Sequence, residues 1–236
     1  MKCNISRHLK VRQIFFILAT VCCASDHSFG GNLDVFTAGA HQFMSKYVQN
    51  GSVDYKRIKQ NIQEAEQLYT QLGEASLTGV QEKSKRSFYI NAYNIVVIYW
   101  VARHYPLKSP LDQSGFFDKV KHKVAGEEMT LNTLEIKKLL DAYNDARIHF
   151  ALACAAKSCP PLASFAFTPE MVDEQLNERT TAALNDKGWV RVDHGQKKVG
   201  LSKIFDWYKN DFNADKNQFL IGSINTVKRR FQLHTP

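Results

Sequence analysis

The sequence predicts an α+β fold, a helix-rich single domain with a central buried helix and a small, mostly antiparallel sheet built from hairpins. Three observations lead there. Several long stretches carry apolar residues at helical spacing, and one of them is apolar nearly all round. The short alternating segments come in pairs about Gly-containing turns. These pairs do not alternate with helices, so a parallel sheet wound through βαβ crossovers is not indicated.

In chain order, Val35, Phe36, Ala40, Phe43, Met44 and Tyr47 predict an amphipathic helix over 33–48, ended by Asn50-Gly51. A second helix is expected from Tyr55 to Leu72, with Ile58, Ile62, Ala65, Leu68, Tyr69 and Leu72 on one stripe and Gly73 as a stop. A third begins near Thr78 and is apolar on every side from Phe88 to Val101 before His104-Tyr105-Pro106 ends it, the pattern of a helix at a domain centre. Phe117–Val124 and Glu128–Leu131 flank Ala125-Gly126 as a hairpin, and 131–140 return to helical spacing. Arg147–Ala153 reads as a buried strand. Thr168-Pro169-Glu170 reads as a helix start, with Thr as N-cap and Pro in the first turn, opening a helix to Leu184. Trp189–Asp193 and Lys197–Leu201 form a second hairpin around His194-Gly195. Ser202 can cap a helix through Phe212, and a last helix is expected over 217–231. The aromatic sets Phe205, Trp207, Tyr208 and Tyr89, Tyr93, Trp100 are assigned to core packing.

The first thirty residues read as a secretory signal: Lys2, Arg7, Lys10 and Arg12 precede an apolar run from Ile14 to Ala24, too short to span a bilayer. Cleavage is expected after Gly30, with Ala24 as the alternative. Lipid anchoring at Cys22 or Cys23 is disfavoured by Val21 and Cys22 in the preceding positions. Residues 31–236 then form the working domain, exported to the periplasm or the cell exterior. Its 27 basic and 22 acidic side chains leave it mildly basic, without a basic and aromatic nucleic-acid motif. No later segment has the length and apolarity of a membrane span. A glycine-rich phosphate loop, a His-Glu-x-x-His helix and a Gly-x-Ser-x-Gly elbow are all absent, so no cofactor is expected and the substrate is sought among small molecules, peptides or envelope components.

Cysteine usage narrows the search. Cys3, Cys22 and Cys23 lie in the signal, and only Cys154 and Cys159 follow it. A thiol nucleophile needs an imidazole or a helix N-terminus to lower its pKa, and a third group to orient the imidazole. His149 stands five residues before Cys154, and Glu135 or an amide from Asn91 or Asn94 can orient its ring. If 147–153 is a strand, five residues cover roughly 16 Å, so His149 and Cys154 meet only across a bend. Arg147 can bind a substrate carboxylate, or pair with Asp145 or Glu135; Ser158 can donate to an oxyanion. The alternatives remain open: a Cys154–Cys159 disulfide in an exported chain, a backbone-bonded His149, Asn91 and Asn94 as a structural network, a buried Glu135–Arg147 pair, or a metal held by both thiols and His149.

The block from Asp145 to Leu162, with Phe88-Tyr-Ile-Asn-Ala-Tyr-Asn94, Leu131 to Glu135, Thr168-Pro-Glu and Leu201-Ser-Lys-Ile-Phe-Asp-Trp-Tyr208, resembles the domain-of-unknown-function 547 family over most of residues 40–212. The resemblance implies a shared fold more than a reaction. Ile136 stands where that family commonly has His after the Glu, and Ala146 where Pro is usual. The family's greater variation at the position of Cys159 favours Cys154 as the nucleophile. The order Glu, His, Cys differs from that of papain-like enzymes, in which Cys comes first, although permuted relatives exist. The reading is a thiol-dependent hydrolase or transferase acting on an amide, ester or thioester, with Cys154 as nucleophile, His149 as base and Glu135 as orienter. Arg147, Asn91, Asn94, Ser158 and Cys159 support it. The alternative is a non-catalytic binding or accessory domain held by a disulfide.

Overall fold

The computed structural model describes residues 31–212 except 154, 156–159, 194 and 197. The signal segment expected over 1–30, the helix expected over 217–231, and Cys154, Ser158 and Cys159 therefore lie outside the described residues. What is described is α+β: helices packed about one buried helix, with three two-stranded antiparallel hairpins.

Helix α1 (Gly31–Tyr47) leads into a minimal hairpin of β1 (Val48–Gln49) and β2 (Ser52–Val53). Asn50 and Gly51 both have positive φ, 50° and 77°, the backbone of a tight primed turn. The dipeptide thus builds a hairpin besides ending the helix. The single helix expected over 55–72 is two, α2 (Tyr55–Gln60) and α3 (Ile62–Glu74). The break is at Asn61, whose amide donates to the Arg57 carbonyl at 2.9 Å, a side-chain bond that competes with helix continuation.

Helix α4 (Glu82–His104) is the centre, buried continuously from Ser87 to Tyr99 and packed by α1, α2, α3 and later elements. Next come β3 (Lys121–Val124) and β4 (Glu127–Thr130), paired across Ala125-Gly126 as expected. The turn amides of Ala125 and Gly126 donate to the carbonyls of Leu72 and Gly73, satisfying the C-terminal end of α3. A continuous helical stretch follows: α5 (Leu131–Thr133), a widened π-helical run over Leu134–Leu140, and α6 (Asp141–Tyr143), closed by Asn144 in the left-handed conformation.

The expected strand over Arg147–Ala153 is instead a 3₁₀ turn over Ala146–Phe150, started by the Asp145 carboxylate, which accepts from the Arg147 amide. Its apolar run is satisfied by two different cores, which a strand in a hairpin sheet could not have reached. Ile148 enters the main cluster, whereas Phe150 enters a second one with Ala183, Leu184, Trp189, Phe205 and Phe212. Helix α7 (Val172–Asn185) starts later than Thr168-Pro169-Glu170 suggests; those residues form a turn before it, and the Thr168 amide donates to the Gln175 side chain. The hairpin of β5 (Val190–Asp193) and β6 (Lys198–Leu201) forms as expected, but the helix expected from Ser202 to Phe212 is only α8 (Ile204–Trp207), followed by turns. Among the described residues no helix is long and apolar enough to cross a membrane.

Candidate active site

Two buried amides on α4 shape the region. Asn94 donates to the Ala151 carbonyl at 3.0 Å and accepts from the Ala153 amide at 2.7 Å. Asn91 does the same for one residue, donating to the Phe167 carbonyl and accepting from the Phe167 amide, each at 2.8 Å. Each side chain imitates a neighbouring strand, which explains how amides tolerate the centre of the core. Asn94 holds the backbone just before Cys154. On the far side of the cysteine segment, the Leu162 amide donates to the Gly51 carbonyl and Arg179 donates to the Pro161 carbonyl at 2.7 Å. Between these clamps Ala155 has φ of 50°, a conformation that costs an L-residue about 1–2 kcal/mol.

Leu152 and Pro160, on either side of that segment, both line a cavity of about 410 Å³. Its polar wall holds Glu135, His149, Tyr93 and Tyr208. Glu135, presented by the π-helical run, accepts from the Tyr93 hydroxyl on one carboxylate oxygen and from the Tyr208 hydroxyl on the other, both at 2.9 Å. Burial, reinforced by the carboxylate, raises both phenol pKa values well above normal, so the phenols remain donors.

His149 is 3 % exposed and lies against Tyr208, with ring centroids 4.0 Å apart. Its Nε2 is 2.8 Å from Oδ2 of Asp211. A carboxylate can only accept, so Nε2 carries the proton and Nδ1 is the basic atom. Burial lowers the imidazole pKa, opposed by the Asp211 hydrogen bond and by the nearby charges of Glu135 and Asp211, leaving the ring neutral at pH 7. The arrangement supplies a neutral base with a fixed tautomer beside a second carboxylate on the wall of the cavity.

Several expected roles change. The orienting partner of His149 is Asp211, and Glu135 is held by two tyrosines. Asp211 was not legible because it sits in a polar stretch 62 residues from its partner. Arg147 does not meet Glu135; it forks onto Asp145, with Nη2 to Oδ2 at 2.6 Å, and reaches Asn177 and Asp173. Arg86 completes that network through Asp173, fastening the 3₁₀ turn to α4 and α7. Trp207, assigned to the core, is 62 % exposed on the cavity rim, and Leu111 opposite is 76 % exposed. Tyr93 and Tyr208, also assigned to packing, carry the donors to Glu135. No group of three or more metal-ligating side chains occurs among the described residues.

The comparisons with known proteins agree with the resemblance in a narrower range. No curated protein and no solved structure matches the chain. What it is similar to is the family described as "Protein of unknown function, DUF547", whose model matches residues 77–182, the stretch holding Asn91, Asn94, Glu135, Arg147 and His149.

Proposed function

We propose that the protein is a thiol-dependent hydrolase or acyl transferase acting on an amide, ester or thioester, with Cys154 as nucleophile, His149 as base and Asp211 as the group that orients it. The observation supporting this reading is the cavity itself. A buried, neutral, carboxylate-oriented histidine stands on its wall, and both flanks of the segment that bears Cys154 line it. In the reaction, Nδ1 of His149 takes the thiol proton and the thiolate attacks the carbonyl carbon. The imidazolium returns the proton to the departing amine, alcohol or thiol. Water or a second nucleophile then releases the acyl group and frees the thiol. Glu135, fixed by two phenols, stabilises the transient imidazolium from across the cavity. The strained backbone at Ala155 is of the kind found beside reacting groups. In this reading residues 1–30 direct export and the substrate lies in the cell envelope.

The test is the intact mass of the protein after alkylation at pH 6 and pH 8, with and without prior reduction. One cysteine labelled rapidly at pH 6 without reductant, and lost in Cys154→Ser, is expected. His149→Gln should slow that labelling on the order of 10²-fold, because the thiol returns toward its ordinary pKa of about 8.5. Labelling only after reduction would mean a Cys154–Cys159 disulfide, and would replace the enzyme with a binding domain.

A further inference from the structure

A second, larger cavity of about 950 Å³ lies beside residues that flank Cys154. It shares Pro160 with the first cavity, and Ala153 and Ala155 line it too. Its remaining wall comes from the β1–β2 turn, from Tyr55, and from the β5–β6 hairpin with the residues bordering it. Two cations, Arg191 and Lys203, face it, and both are exposed. The Arg191 guanidinium makes one hydrogen bond, from Nε to the Lys187 carbonyl at 3.4 Å, and among the described residues neither cation is in an ion pair. Elsewhere in the described protein the arginines Arg86 and Arg147 are committed to carboxylates. The one carboxylate in this wall, Asp186, uses Oδ1 to accept from the Gly188 amide, leaving Oδ2 without a described partner.

We infer that this cavity is the subsite for an acidic peptide arm of the substrate, whose carboxylate meets Arg191 and Lys203 and whose backbone N–H meets Asp186. The inference rests on the reading of Cys154 and His149 as the reacting centre, since it makes the two cavities the two sides of one substrate path. The chemistry of the wall selects the ligand class. A guanidinium and an ammonium recognise a carboxylate or a phosphate equally in charge, but Asp186 repels a ligand that offers only acceptors and favours one that also donates. A peptide bearing Asp, Glu or a free C-terminus offers both. The floor fits an extended chain: half-buried Tyr55 lines it, and Gly200 carries no side chain over the β6 backbone, where an added Cβ would stand 3.8 Å from the Arg191 Cβ, in ordinary van der Waals contact.

The experiment is a titration of the ¹⁵N-labelled protein with acetyl-Ala-Glu-Ala-amide, acetyl-Ala-Gln-Ala-amide and inorganic phosphate, followed through the amides of Gly188, Arg191, Gly200 and Leu201. Saturable shifts with the Glu peptide are expected, with the Gln peptide at least tenfold weaker and phosphate weaker than the Glu peptide. Arg191→Gln and Lys203→Gln, both at exposed positions, should each weaken the Glu peptide at least fivefold while the rest of the spectrum stays unchanged. Equal binding of the Gln peptide, equal shifts with phosphate, or indifference to both substitutions would overturn the inference. Pairing the titration with the alkylation assay on the same protein separates the two claims. Peptide binding that persists beside an unreactive thiol removes the enzyme and keeps the subsite; a reactive thiol without peptide binding does the reverse.

Discussion

At the scale of single residues, the pairing of His149 with Asp211 makes a prediction that needs no substrate. The Asp211 hydrogen bond is among the interactions opposing burial, so Asp211→Asn should lower the His149 pKa further, seen as a falling midpoint in the NMR titration of its ring proton. An unchanged midpoint would mean that the carboxylate does not hold the ring in solution. In the proposed reaction the same substitution should reduce turnover on the order of 10²-fold or more, through loss of the productive tautomer. Trp207 tests the cavity rim. Because the side chain is largely exposed, Trp207→Ala should leave stability within about 0.5 kcal/mol while raising KM. A large loss of stability with unchanged KM would return Trp207 to the core, where its helical spacing first put it.

At the scale of elements, the two ends of the segment that bears Cys154 are held by backbone-directed clamps. Asn94→Leu would strand the Ala153 amide and the Ala151 carbonyl in a buried site, a loss of roughly 2–4 kcal/mol measurable by urea unfolding. Gly51 is the complementary clamp. Its φ of 77° suits glycine, and a Cβ there would lie 2.3 Å from the Pro161 Cβ and 2.7 Å from its Cα. Gly51→Ala should therefore destabilise by about 1–3 kcal/mol and disturb thiol reactivity, since the loop end itself must move. The helical stretch after β4 matters for a similar reason. One widened turn over Leu134–Leu140 gives Glu135 a direction that a regular helix would not reproduce, and such turns recur at working sites.

For the whole molecule, two buried histidines couple stability to acid. His122, 3 % exposed and bonded through Nδ1 to the Tyr69 hydroxyl, has its pKa lowered to about 4 by burial, and His149 is lowered as well. Both are neutral in the folded protein at pH values where the unfolded chain already binds protons. Stability is thus complete above pH 6.5 and falls as the pH drops toward 4, by as much as about 3 kcal/mol from His122 alone. Urea midpoints at pH 7 and pH 5 check this, and equal midpoints would show that His122 is not buried neutral. The fold explains why the effect is global: His122, on β3, packs against Tyr69 of α3, and His149 lies between Ile148 of the main apolar cluster and Phe150 of the second.

The sequence by itself determined the helix-rich α+β class, the central helix and the two later hairpins, because periodicity and turn residues are local properties read within a few positions. It also singled out Asn91, Asn94, Glu135 and His149 as polar groups in apolar surroundings, which burial obliges to find partners. Which partners they found was decided only in three dimensions. Asp211, Tyr93 and Tyr208 come from 42 to 73 residues away to meet His149 and Glu135, and no local pattern encodes such distances. The strand expected over 147–153 failed for the same reason. Its apolar residues serve two cores at once, and the Asp145 cap and the Asn94 clamp, rather than strand propensity, set its backbone.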